Sequence, residues 1–466
     1  YNALLIAYSA NHRHQEVLQL FSSLSAGVGA DGYSVTCLLK SLLESKLRGS
    51  GAAREVHLYI LKNSLHDDVA VGNTLITCYS KLDNVSAARK VFDDMTNRDV
   101  ISWSAMISGY SQAGLYKECK ELYLEMIRSS SIRPHAATVT SFLHACRRSE
   151  DLKSVMDVHE YILEKKLDSD VVVVNSLIAA YANCGSLIYA NELFEETTAK
   201  DEVSYNTMIT AYMVHGYVDL ALDLFYETPN RVLATWNAVL SGLAQNNHHE
   251  LAIALWKIMR DHGFTPNSVT VASFLPIIAD QGDLRAAKEI HGYALKTTCL
   301  PSVYVATGMI DTYAKSGFLI GARRVFNAQR DRNIIVWTAM ISAYATYGEG
   351  NRAIRLFEEM VRLGMRPDKV TLVAVLASCG HCGMVDRAVE TLGEMKGRYG
   401  VEASVEHYAC VVDALGKAGR AVEGKEIVRK MGVKPNFKVW GALFNSAVLS
   451  ADVELGEFAF VHLIKT

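Results

Sequence analysis

One period runs through this chain and constrains its fold more than any other feature. Trp103-Ser104, Tyr205-Asn206, Trp236-Asn237, Trp337-Thr338 and Trp440-Gly441 open similar helical phrases. The steps 103 to 205, 236 to 337 and 337 to 440 are 102, 101 and 103 residues. Val56-His57 returns as Val158-His159 and Ile290-His291, and Val91-Phe92 returns as Leu193-Phe194 and Val325-Phe326. Here the steps 57 to 159 and 92 to 194 are both 102, and the steps 159 to 291 and 194 to 326 are both 132. The longer step is one block plus an inserted unit of about 31 residues. A fixed period of this kind means stacked supersecondary units, none of which buries its apolar face alone. It outweighs the length prior, which for 466 residues suggests about three separate domains.

Anchored on these recurrences, the chain divides into units 1–31, 32–68, 69–99, 100–135, 136–170, 171–201, 202–232, 233–267, 268–302, 303–333, 334–368, 369–404 and 405–436, with a partial unit over 437–466. Each is expected to hold two amphipathic helices. In the unit opening at Val100, Ala105-Met106-Ile107 and Tyr110 mark one helical face, and Leu122-Tyr123 and Met126 a second. Gly114, Gly185, Gly216 and Gly317 fall at the turn between helices, where positive φ is useful. Unit ends carry turn chemistry, as in Arg133-Pro134-His135, Gly263 to Asn267 and Gly364 to Asp368. The fold expected is all-α: one right-handed superhelical solenoid of helix-turn-helix units, without an internal linker. Seven prolines and 50% hydrophobic residues agree with it. The chain opens at Tyr1-Asn2 and ends at Thr466 inside helical patterns, so both ends are expected to lie within a longer protein.

Composition narrows the function classes. No run of about 18 apolar residues suggests a membrane-spanning helix. Nine cysteines show no pairing logic, which argues against a secreted disulfide scaffold and for a reducing compartment. The formal net charge of −3 says little about partners, because the faces of a solenoid can differ in sign.

Two families of helical hairpin have a period near this one. Tetratricopeptide units run about 34 residues, but their Trp-Leu-Gly-Tyr pattern is absent here. The phrases Trp-Asn-Ala-Val-Leu-Ser-Gly-Leu-Ala at 236–244, Tyr-Ser-Lys at 79–81, Ala-Arg-Lys-Val-Phe-Asp-Asp-Met at 88–95 and Met-Arg-Pro-Asp at 365–368 closely resemble pentatricopeptide repeats. The alternation of unit lengths resembles the plant subgroup built from P, L and S units. The stretch 405–413, followed by Val439 to Leu443, resembles the closing S unit and first E unit of organellar RNA-editing factors.

The resemblance implies single-stranded RNA as partner, read one base per unit by two or three side chains. The first reading set is then Asn2, Thr36, Asn73, Ser104, Thr140, Asn175, Asn206, Asn237, Ala272, Thr307, Thr338, Val373 and Ala409. The repeat-ending set is Asp31, Asp68, Asp99, His135, Asp170, Asp201, Val232, Asn267, Ser302, Asn333, Asp368, Ser404 and Asn436. Asn offers donors and an acceptor, Thr and Ser a hydroxyl, and Asp acceptors only. The family's pairing rules imply U for Asn2/Asp31, Asn73/Asp99 and Asn175/Asp201, and a pyrimidine for Asn237/Asn267. They imply A for Thr307/Asn333 and G for Thr338/Asp368. Thr36/Asp68 and Thr140/Asp170 lie in L units, where the rules are weaker, and the other pairs depart from the strong combinations. The expected target reads U-n-U-n-n-U-n-Y-n-A-G-n-n.

Ile101, Val172, Val203, Val269, Ile335 and Val370 stand just before the reading positions, either as clamps on a base or as ordinary core. Lys81, Lys315 and Lys417 recur eight residues after a reading position, facing phosphates or only solvent.

Other chemistry finds little support. Cys379-Gly-His-Cys382 lacks the second pair a zinc site needs. His14-Gln15-Glu16 and His248-His249-Glu250 match half of a cytidine-deaminase zinc motif, without its Pro-Cys-x-x-Cys partner. His57, His159 and His291 are read as packing residues. No metal, cofactor or catalytic residue is therefore expected. By resemblance the chain would specify cytidines for C-to-U editing in a plant chloroplast or mitochondrion. The deaminase would be supplied by a further domain or in trans, and multiple organellar RNA editing factor proteins would dock on the L units. The alternatives are a role in RNA stabilisation, splicing or cleavage, or a protein-binding solenoid.

Overall fold

The first helix of nearly every unit starts where a polar side chain supplies what a helix N-terminus lacks. A computed structural model describes residues 2–11, 13–26, 29–44, 50–128, 132–330 and 332–465. Tyr1 and Thr466, at the limits of the expected array, lie outside the described residues. Among the described residues there are 28 α-helices, two short 3₁₀ turns and no strand, so the all-α reading holds. First helices begin at Gly32, Val69, Val100, Ala136, Val171, Glu202, Leu233, Ser268, Val303, Ile334, Lys369, Val405 and Phe437. Each is the residue after one of the repeat-ending set. At Val100–Gln112 the Asp99 carboxylate accepts from the Ser102 amide at 2.8 Å, and the Ser102 hydroxyl accepts from the Asp99 amide at 3.2 Å. This capping box occupies two donors that the helix leaves unpaired. After Gln112 the chain turns through Gly114 at φ 74°, a left-handed conformation that a Cβ would strain.

Second helices differ in length, and most have either 13 or 10 residues. Tyr116–Arg128 has 13 residues, whereas Val85–Asp94, Leu187–Glu196, Val218–Glu227 and Leu319–Ala328 have 10. The shorter helices lose nearly one turn and end on a cation. Arg98, Arg231 and Arg332 donate through Nε to the carbonyls of Phe92, Phe225 and Phe326 at 2.8–3.0 Å, and Lys200 donates to Thr197 at 2.8 Å. Each cation also lies over the phenylalanine ring of its helix, at 4.7–5.0 Å. A positive group satisfying the last carbonyls is a favourable helix stop.

The chain forms two compact units, Tyr1–Thr235 and Trp236–Thr466. In the first, the helices Gly32–Glu44, Val69–Lys81, Val100–Gln112, Ala136–Ser149, Val171–Asn183 and Glu202–Val214 pack each against the next, with the second helices alongside. In the second, Ser268–Gln281, Val303–Lys315, Ile334–Thr346, Lys369–His381, Val405–Lys417 and Phe437–Ser450 do the same. Close approach needs small residues: a Cβ on Gly109 would stand 2.4 Å from the Ser80 hydroxyl of the preceding first helix. Large aromatics fill the space between the two helices of a pair and the next unit. Trp337 is 2% exposed and meets the Phe326 ring edge-on at 5.0 Å.

The three recurring histidines do more than fill space. His57, His159 and His291 share hydrogen bonds with the hydroxyls of Tyr79, Tyr181 and Tyr313 in the following unit, at 3.1, 2.9 and 2.8 Å. Burial holds all three imidazoles below their usual pKa, which favours the neutral ring. Two residues on, Tyr161 and Tyr293 donate back to the carbonyls of Pro134 and Pro266 at 3.0 and 2.8 Å, and Tyr59 accepts from the Ala30 amide at 2.8 Å. Each His-x-Tyr therefore ties its unit to the one before and the one after. No helix among the described residues is long and apolar enough to cross a membrane.

Candidate functional site

Every reading position from Thr36 to Ala409 is the fifth residue of its first helix, a full turn past the N-cap. A capping role for these side chains is thereby excluded. Most caps are repeat-ending residues, so one side chain can both start a unit and meet the reading position of the unit before, as Asp99 and Asp201 do.

The structure joins these pairs in three ways. In the first, the contact is direct. The amide nitrogens of Asn2, Asn73 and Asn175 donate to the carboxylates of Asp31, Asp99 and Asp201 at 2.9, 3.1 and 3.1 Å. Oδ1 of Asp99 takes three bonds, from Asn73 and from the amide and hydroxyl of Ser102, and Oδ1 of Asp201 is used in the same way. In the second way, a hydroxyl from the third residue of the next helix relays the contact. Thr338 bonds Thr371 at 2.7 Å and Thr371 donates to Asp368 at 2.7 Å, while Ser104 reaches His135 through Thr138 at 2.6 and 2.7 Å.

In the third way the pair does not meet. The hydroxyls of Thr36, Thr140 and Thr307 turn back onto their own helices, to the carbonyls of Tyr33, Ala137 and Val303. Asp68 and Asp170 cap at ψ 111° and 109°, against 179° and 178° at Asp99 and Asp201. A 3₁₀ turn, Leu65–Asp67 or Leu167–Ser169, precedes each and rotates the carboxylate onto the second residue of the new helix, Ala70 or Val172. Ser302 shares this conformation at ψ 126°. The three units 32–68, 136–170 and 268–302 thus end differently from the rest, and they are the units that carry His-x-Tyr. Asn333 caps Val336 at 3.1 Å, with no bond to Thr307. No hydrogen bond joins Asn237 to Asn267 or Asn206 to Val232 among the described residues.

Charge and hydrogen-bond vacancy distinguish the reading face. At Asp31 the hydrogen bonds from Ser34 and Asn2 hold the carboxyl below its ordinary range. At Asp99 and Asp201 burial pushes upward, but the serine and asparagine donors outweigh it, and both stay ionised at neutral pH. The carbonyl oxygens of Asn73, Asn175, Asn206 and Asn237 are buried and unpartnered. Native structures rarely leave such acceptors empty, and four at one register position point to a ligand donor.

Val232 shows what the capping side chain normally does. Without an acceptor there, the Thr235 hydroxyl is buried and unbonded, and Asn206 lacks its partner. Val232→Asp is therefore expected to add a cap and a fourth Asn/Asp pair. The stability gain should be about 1 kcal/mol, read as a rise in the urea midpoint. An unchanged or lower midpoint contradicts the capping argument.

The apolar residues three positions earlier are exposed. Ile101, Val172, Val203, Val269, Ile335 and Val370 show 48–64% of their surface. Core packing is thus not their role, and the open alternative of a contact surface is the one the geometry favours. Tyr33 and Tyr304 hold the same register and are 54% and 73% exposed. A search restricted to aliphatic residues overlooked them, and counting three back from each reading position would have found them. Of the recurring lysines, Lys315 bridges Asp280 and Asp311 at 3.0 and 3.4 Å and Lys417 pairs with Asp413 at 2.6 Å, while Lys81 is exposed. Cys379 is buried, which pushes its thiol up to about 11, and the Cys382 sulfur sits between the Gly348 carbonyl and the Gly350 amide at 3.1 Å each.

Comparison with known proteins gives a consistent picture. The signature of the PPR repeat family matches residues 231–276 and 332–381. The signature of the PPR repeat matches 1–25, 73–100, 101–131, 172–200, 203–230 and 370–399. Pentatricopeptide repeat-containing protein At2g37310 of Arabidopsis thaliana is 44% identical over 473 residues, covering 100% of this chain and 72% of that protein. The Arabidopsis protein At3g57430, chloroplastic, is 32% identical over 468 residues, and this chain spans 50% of its length. Among solved structures, the pentatricopeptide repeat protein PPR10 from maize matches in fold with a TM-score of 0.55 at 18% identity, covering 98% of this chain and 72% of that one.

Proposed function

The chain belongs to the pentatricopeptide repeat family, and from that premise we propose that it binds single-stranded RNA sequence-selectively, one base per repeat. The observation that carries this reading is the row of unpartnered asparagine oxygens at Asn73, Asn175, Asn206 and Asn237. In three of these units the residue three positions earlier, Ala70, Val172 or Val203, is exposed, and in the fourth it is Ala234, also exposed. A flat base fits between successive residues of that row, with its polar edge on the asparagine. In the two directly linked pairs whose asparagine oxygen is unpartnered, Asn73/Asp99 and Asn175/Asp201, that oxygen accepts a base N–H while the second amide hydrogen donates to a base oxygen. Uracil offers that combination, in agreement with the pairing rules.

Within this reading the chain specifies cytidine sites for C-to-U editing in a plant organelle. The three units with the rotated caps correspond to L units of the PLS subgroup, and residues 437–466 to an E-type repeat. Deamination comes from a domain or partner outside this chain, and editing-factor proteins of the multiple-organellar type dock on the L units.

The test is a titration of the protein against RNA of the pattern U-n-U-n-n-U-n-Y-n-A-G-n-n and against a scrambled strand of equal composition. The patterned strand is expected to bind more tightly, with affinity falling as salt rises. Equal binding to both strands defeats the base-reading proposal, and no binding to either favours a protein-binding solenoid.

A further inference from the structure

The cavity beside Asn206 contains a cation without a counter-ion. It has a volume of about 350 Å³, and its walls include Arg147, Asn183, Val203, Asn206, Val214 and His215. These side chains come from three successive first helices, Ala136–Ser149, Val171–Asn183 and Glu202–Val214, and from His215 just after the last. No aspartate or glutamate lines it. Arg147 is half-buried, and its Nε is enclosed with no hydrogen-bond partner. The charges acting on it make its position less comfortable still: burial and then Arg148 both disfavour the cation, and no carboxylate offsets them.

Three of the other polar groups of the wall are engaged. Thr210 donates to the Asn206 backbone carbonyl at 2.7 Å. Asn183 donates to the Ala179 carbonyl at 2.8 Å, and the His215 ring bonds the Ala182 carbonyl at 2.6 Å. Two complementary atoms are buried without a partner, Nε of Arg147 as donor and the side-chain carbonyl oxygen of Asn206 as acceptor. Val203 and Val214, 56% and 59% exposed, form apolar sides between them. The Arg147 Nε is shut off from water without an acceptor and no carboxylate lines the cavity, a setting that favours an anion, and the planar guanidinium fork suits the paired oxygens of a phosphate. A base edge offers only partial charges and is already served by Asn206.

We infer that Arg147 holds a backbone phosphate of the bound strand in this cavity, beside the base that faces Asn206. The inference rests on the RNA-binding reading and adds an anion contact in a part of the array where no recurring lysine stands, Lys315 and Lys417 being paired to carboxylates.

The experiment compares the full chain with Arg147→Gln and Arg147→Lys on the patterned RNA, over a salt series. It is repeated with strands carrying one uncharged methylphosphonate linkage at each position in turn. Arg147→Gln is expected to weaken binding about 10-fold. Its plot of log affinity against log salt should be flatter by about 0.7. Arg147→Lys should keep most of the slope. One neutral linkage should weaken the wild type but leave Arg147→Gln unaffected. Wild-type affinity and slope in Arg147→Gln, or the same response of both proteins to every neutral linkage, overturns the inference while leaving RNA binding intact. Should Arg147→Gln fail to fold, a wild type indifferent to every neutral linkage overturns it equally. A wild type that binds no RNA overturns both readings together.

Discussion

Asn333→Asp is expected to move the preference of one position in the bound RNA from A toward G, by roughly 5- to 150-fold in relative affinity. The substitution is nearly isosteric. Asn333 caps the Val336 amide through Oδ1, and an aspartate makes the same bond. Thr307 is bonded to its own helix at Val303 and Tyr304, so no contact between the pair is broken. Only the outward group changes, from an amide with donors to a carboxylate with acceptors. Adenine presents a ring acceptor on its pairing edge, whereas guanine presents adjacent N–H donors that a carboxylate recognises. Titration of both proteins against strands differing only as A-G and G-G gives the comparison. If wild type and variant rank the strands alike, the register or the pairing assignment is wrong.

Trp337→Ala is expected to lower stability by about 3–5 kcal/mol. The indole is enclosed, packs edge-on against Phe326 at 5.0 Å, and lies 6.0 Å beneath the Arg332 guanidinium that ends the preceding helix. Removing it empties a space shared by two units and frees the cation that caps the first. Trp337→Phe should cost much less, because the indole Nε1 is buried with no partner and its loss sacrifices no hydrogen bond. Urea unfolding followed by circular dichroism separates the two variants. A Trp337→Ala midpoint equal to wild type removes the indole from the core argument. The same geometry at Trp103, with Phe92 at 5.1 Å and Arg98 over that ring at 4.7 Å, makes the cost transferable.

The all-α fold was legible because its period is written in large residues. Trp236, Trp337 and Trp440 cannot recur at a hundred-residue spacing without recurring in space. From sequence the repeat-ending residues are read as base contacts, and their capping of the next helix emerges from the structure. Three features were not readable. The relay through Thr371 and Thr138 joins residues 33 and 34 positions apart, and a threonine at the third helical position looks like any other helix start. The rotated caps at Asp68 and Asp170 depend on three-residue 3₁₀ turns, too short to leave a pattern of their own. Exposure of Ile101 or Val370 was undecided because an apolar residue on the first turn has the same spacing whether it faces a neighbour or open space.

The shared use of the repeat-ending residue has a consequence for how such a chain changes over generations. Each of these side chains must start a helix, so the tolerated alphabet is mainly the short polar one that caps well. Asp99, Asp201, Asn267, Asn333 and Asp368 all come from it. Exchanges within that alphabet leave folding nearly indifferent while altering what faces the groove, so target preference can drift along a neutral path. Exchanges out of it, as at Val232, leave a local scar in the fold that selection can detect even when no RNA is bound.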